Sequence, residues 1–197
     1  MIKKEIKVIN ILNSSFALHK FGRKVNIYIK ETLPEIHEPT LIIINLRDLD
    51  PLDYEFIDLA FNDIFTLSLS NSNVFLAFIS NKWEAEELLT GIIHILKLKG
   101  NPGQSDEELL INNGINIILV NEENKIQYLT SLDKIHIDVL KSIEIVESIT
   151  SSEIQDKFKL NAEQTTEILS NLLKCKFIYK TTASNGPLYS SIKIHIL

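Results

Sequence analysis

The side chains best placed to do chemistry gather in one stretch of this 197-residue chain, where Asp48, Asp50, Asp53, Glu55 and Asp58 follow closely on one another. Pro51 and the capping side chain of Asp53 open a helix there, running to about Leu69. Acidic groups at a helix start are stabilised by the macrodipole and concentrate negative charge at one end. Glu55, Asp58 and Asn62 recur at i, i+3 and i+7, a polar stripe on an otherwise apolar helix. The stretch holds no nucleophile paired with a base, so the chemistry it offers is binding. Asp53, Tyr54, Glu55, Asp58 and Asn62 are the candidate partner-binding residues; the plainer reading of the same stripe is a solvated face.

Elsewhere the reactive residue types are scattered. His19, His37, His94, His136 and His195 have no i, i+4 pairing and no neighbouring cysteine, which argues against a dedicated metal site. There is no G-x-G-x-x-G, no P-loop and no G-x-S-x-G, and the six glycines fall in separate turns. Cys175 stands between Lys174 and Lys176, whose charges would lower its pKa; the alternative is a small residue closing a helix. No constellation supports catalysis, and no cofactor is implied.

Composition bounds the rest. With 45% apolar and 23% charged residues the chain has enough apolar material for a core and is not disordered. A single cysteine rules out a disulfide scaffold and suits a reducing compartment. The apolar runs at 41–44 and 115–120 fall far short of the roughly 20 residues a membrane helix needs. The charged N-terminus lacks the apolar core of a signal peptide, so a cytoplasmic location is expected. The net charge of −6 is uneven: residues 1–129 hold 12 basic and 18 acidic side chains, residues 130–197 eight of each.

That asymmetry coincides with a change of pattern, and two domains are expected, 1–130 and 131–197. The first alternates apolar strands with amphipathic helices, an α/β arrangement around a buried sheet. Strands are expected at 6–12, 40–46, 74–79, 115–120 and 125–129, the last two forming a hairpin. Helices are expected at 25–33, 53–69 and 83–98, and a short one where Ser105 and Glu108 make a capping box. In the second domain, apolar residues from Ile135 to Val146 mark a helix. A Thr150/Glu153 capping box starts another, and Asn161 caps a third. Strands at 177–182 and 188–196 flank a turn at 184–187. Three helices and a hairpin make the layout of a winged helix-turn-helix.

The stretch from Leu41 to Phe61 resembles the STAS-like domains, in particular an uncharacterised bacterial branch related to the anti-sigma-factor antagonists. Its signature is a strand, an acidic residue, a loop, and Ser-Phe-x-Asp-Glu at a helix start. Here Leu41 to Leu46 matches the strand, with Asn45 where Asp is common, and Phe56 and Asp58 fit the helix motif. Phe21-Gly22-Arg23 and the helix after it resemble the family's first helix, so the likeness spans roughly residues 5–129. It implies a regulatory protein-binding module that acts with a GHKL-type ATPase or kinase. In the antagonists a serine at this helix start is phosphorylated; here Tyr54-Glu55 replaces Ser-Ser. Glu55 therefore carries one fixed charge against the roughly −1.5 to −2 of phosphoserine.

For the second domain the alternative is a DNA-binding transcription regulator, which would act as a homodimer. Gln164, Ser170, Asn171, Lys174, Lys176 and Lys180 are its candidate DNA contacts, with Lys193 nearby. Duplex affinity rests on phosphate neutralisation by Lys and Arg. Glu163 and Glu167 on the third helix, and the absence of any arginine after Arg47, argue against it. A protein-interaction or dimerisation role for this domain is favoured.

Overall fold

In a computed structural model of the chain, the described residues are 2–12, 21–33, 36–47, 49, 54–80, 82–99, 103, 105, 109, 115–120, 126–128, 132–184 and 186–192. The fold is mixed α/β and divides into two compact units, Met1–Leu110 with Ile115–Leu129, and Ile111–Gly114 with Thr130–Leu197.

The first unit is built on a five-stranded sheet whose spatial order is the chain order. β1 (Ile2–Lys7), β2 (Thr40–Asn45), β3 (Val74–Ser80) and β4 (Ile115–Val120) are parallel, and β5 (Ile126–Tyr128) returns antiparallel to β4. Between them run α1 (Val8–Leu12), α2 (Gly22–Thr32), α3 (Tyr54–Ser70) and α4 (Lys82–Lys99). Parallel crossovers are right-handed, so strands laid down in one direction send every crossover helix to the same face. The core has that composition: Ile42, Ile44, Leu76 and Phe78 of the sheet pack with Val25 and Ile29 of α2, Phe61 and Phe65 of α3, and Ile92 of α4. The opposite side chains of β2 and β3, among them Leu41, Ile43, Phe75 and Ile79, are buried too. Burial on both faces is why these strands read as unbroken apolar runs.

The first strand is displaced from its expected position. The strand expected at 6–12 is Ile2–Lys7, and Val8–Leu12 is helical. Only Ile6 of β1 is buried, because β1 is an edge strand with one neighbour, and its lysines blunt the open side. Val8 and Ile11, three apart, enter the core from one face of α1, which a strand could not achieve. Lys4 Nζ donates to the Thr32 carbonyl at 3.2 Å, holding the last turn of α2. Glu108, of the short helix expected near Ser105, lies outside the described residues.

The second unit comprises α5 (Lys134–Val146), α6 (Ser151–Phe158), α7 (Ala162–Lys174) and a hairpin of β6 (Ile178–Ala183) and β7 (Gly186–Ser191). An isolated bridge between Ile149 and Tyr189 lays the segment before α6 against β7. Both helix starts are closed reciprocally. Glu153 N donates to Thr150 Oγ1 while Thr150 N donates to Glu153, and Asn161 and Gln164 exchange the equivalent bonds. The carboxylate of Glu153 is held below its usual range by these bonds with Thr150.

Helix α7 ends in a Schellman turn: Phe177 N donates to Leu172 O, Lys176 N donates to Leu173 O, and Lys176 takes φ 52°. Glycine usually fills that position, because a Cβ there costs roughly 1–2 kcal/mol. Burial also pushes the Lys176 amine down to about 8. Lys176→Gly is therefore expected to stabilise this unit by about 1 kcal/mol at neutral pH, measured by urea unfolding. The pH dependence has a definite sign. An amine at about 8 in the folded state and 10.5 unfolded binds more protons unfolded, so stability rises with pH from about 8. Cys175, at about 11 folded against 9.0, acts oppositely above pH 9. The rise between pH 8 and 9 belongs to Lys176 and is lost in the glycine variant.

Candidate functional site

The acidic helix start occupies the carboxyl edge of the sheet. Because α3 follows β2, its first turn emerges where β2 ends. Asn45 is a bracket there: its Nδ2 donates to Glu5 Oε1 of β1 at 2.8 Å, and its Oδ1 accepts from Arg47 N at 3.1 Å. An aspartate would keep the second bond and lose the first, since a carboxylate cannot donate. This bracket, linking residues forty positions apart, is a part of the site that sequence reasoning missed; its only signal was an amide at the strand end.

The candidate partner-binding residues are differently disposed. Glu55 is exposed in the first turn of α3, Asp58 and Asn62 are half-buried, Tyr54 begins the helix, and Asp53 lies outside the described residues. The stripe runs along the outer crest of the middle helix of the layer. On one flank Gly22 brings α2 against Phe56, Leu59 and Ala60, and Asn26 Nδ2 donates to Leu59 O at 3.2 Å. On the other, Gly91 of α4 approaches Ile57. Arg23 and Lys24, in the first turn of α2, are exposed. Further along, Lys30 pairs with Asp63 across the same seam. The seam between α2 and α3 therefore carries both signs of charge, which the local acidity of residues 48–58 did not suggest.

In the second unit the six candidate DNA contacts part company. Gln164 spends its side-chain oxygen on the helix cap, accepting from Asn161 N at 3.1 Å. Asn171 Nδ2 lies 3.3 Å from His136 Nε2, bridging α7 to α5. Lys176 is half-buried with a depressed pKa, and Ser170 is half-buried. Lys174 and Lys180 are exposed, and Lys193 lies outside the described residues. Cys175 corrects the sequence expectation: it is 2% exposed, and burial raises its thiol to about 11, outweighing the opposing pull of Lys174. It is a packing residue at the helix end.

Among the described residues no group of three His, Cys, Asp or Glu is placed to hold a metal ion, and no helix is long and apolar enough to cross a membrane. No protein-family model, curated protein or solved structure matches the chain.

Proposed function

We propose that the chain is a non-enzymatic adaptor, in which a STAS-like domain at residues 1–130 engages a protein partner through the start of α3 and a winged helix at 131–197 serves assembly. The observation that carries this reading is the one-directional strand order. Ligands of open α/β sheets sit in the crevice where strand order reverses, and these parallel strands have no reversal. Recognition then falls to the surface, and the exposed Glu55 at the carboxyl edge is the charged group best presented. Its fixed charge stands where the related antagonists carry a phosphoacceptor serine, so partner engagement is constitutive. A GHKL-type ATPase is the partner class this resemblance favours.

Glu55→Lys with Asp58→Lys is expected to reduce partner capture at least about tenfold, the scale of a close charge pair turned repulsive. Both residues retain some solvent exposure and neither belongs to the core, so the melting temperature should stay near the wild-type value. Affinity measured against a purified GHKL-type ATPase is the test. Unchanged affinity overturns the reading.

A transcription regulator is the second reading, favoured by the layout of three helices and a hairpin with the Ile149–Tyr189 bridge. Against it, the Gln164 side-chain oxygen and the Asn171 amide nitrogen, of the two side chains suited to reading adenine, are engaged within the fold. Polarisation titration against genomic fragments at low salt decides it: no binding at micromolar protein excludes this reading.

A further inference from the structure

The outer line of α5 is unlike a solvated helix face. Lys134, Ile137, Lys141 and Ile145 follow at spacings of three, four and four, which places them in one row. Ile137 is 37% exposed and Ile145 78% exposed, while Val139, Leu140 and Ile143 fill the inner face. Past the N-cap, Asp133, which makes no side-chain capping bond, the helix charges run against its dipole as well: the first turn has no acid and carries Lys134, the last turn has no base, and Glu144 and Glu147 stand at that end. Each such placement is unfavourable by roughly 0.3–1 kcal/mol for an isolated helix.

We propose that α5 is the surface through which two copies of this chain pair, the helices antiparallel about a two-fold axis at Lys141. Ile137 and Ile145 lie four residues to either side of that axis, so Ile137 of one copy meets Ile145 of the other, and the apolar row is complementary to itself. The charges fall into the same register. Lys134 at each helix start approaches the partner's acidic end, with Glu144 and Glu147; Lys141 meets its own counterpart at the axis, a like-charge contact offset by the Asp138 and Glu144 that flank it from both copies. The dipole mismatch of each helix is offset by the other. A closed isologous contact is the usual form of a homodimer. A helix of this length offers about 20 Å of contact, at the small end of specific interfaces, so the dimer belongs to the micromolar range.

Sedimentation velocity of the full chain across the micromolar range is expected to show reversible dimerisation, and Ile145→Asp to weaken it about a hundredfold. Because Ile145 is outside the core, this variant keeps the wild-type unfolding transition. Lys141→Cys supplies a second measure: at the axis it should link to its own counterpart under an added oxidant, which the wild type, with Cys175 buried, does not do. Glu55→Lys with Asp58→Lys should dimerise normally, so the α3 reading and this one fail separately. A monomer throughout the range, a dimer that survives Ile145→Asp, or a Lys141→Cys dimer that does not cross-link overturns the proposal.

Discussion

Phe61→Ala should lower the unfolding free energy of the first unit by about 3–5 kcal/mol, the range for deleting a fully buried aromatic ring. Phe61 has no exposed surface and stands at the centre of four rings. Its centroid lies 5.9 Å from Phe56, 6.5 Å from Phe65 and 5.5 Å from Phe78, each in an edge-to-face arrangement. Such pairs contribute about 0.5–1.5 kcal/mol beyond their area. Phe78 belongs to β3, so the cluster is also the contact between helix layer and sheet, and a void there cannot close by moving one side chain. Phe61→Leu, which keeps most of the volume, should cost far less. With a total stability of roughly 5–15 kcal/mol, the alanine variant approaches the unfolding threshold at ambient temperature. Far-UV circular dichroism in a urea titration follows the loss. A loss below about 1 kcal/mol would contradict the packing described.

Gly22→Val is the second large effect. A Cβ at position 22 would lie 2.7 Å from Leu59 Cβ, 3.1 Å from the Phe56 carbonyl oxygen and 3.3 Å from Ala60 N. Two of these are backbone atoms in the first turns of α3 and cannot rotate away, so α2 must back off. Its withdrawal loosens Val25 and Ile29 in the core and the Asn26 bond to Leu59 O. Overpacking of this kind costs typically 1–3 kcal/mol, and the lost contacts place Gly22→Val at or above the upper end. Even Gly22→Ala, which lessens the conformational freedom of the unfolded chain, is expected to destabilise. Gly91 provides the contrast. Its nearest obstacle is Ile57 Cδ1 at 2.5 Å, the tip of a side chain that can change rotamer, so Gly91→Ala should be tolerated better. Paired urea titrations of the two alanine variants test the difference, and equal losses would show that the α2 seam is not the tighter one. If α3 serves partner binding, Gly22→Val should also impair capture without changing any charge, because α2 frames the crest that carries Glu55.

Some of this architecture was legible in the residues. Thr40–Asn45 and Val74–Ser80 announce themselves because strands buried on both faces need apolar side chains at every position. Thr150 with Glu153, and Asn161 at the start of α7, are equally plain, since a capping bond spans three residues and both partners are printed side by side. The Ile6–Leu12 run was misread because alternation and helical spacing coincide over so few residues. Whether Val8 belongs to a strand or a helix depended on an edge register set by β2, over thirty residues away.

The candidate sites divide in the same way. Local spacing alone determined that Glu55, Asp58 and Asn62 share a helix face, that acid collects at the start of α3, and that the C-terminal residues form three helices, two of them capped, and a hairpin. Only the tertiary structure decided which of those groups are available. It paired Lys30 with Asp63, tied Asn45 to Glu5, engaged Gln164 and Asn171 in bonds within the second unit, and buried Cys175 and half of Lys176. The physical reason is one of range: helical periodicity and capping act over three or four residues, whereas burial, desolvation and the pairing of polar groups are imposed by segments that meet only when the chain has folded.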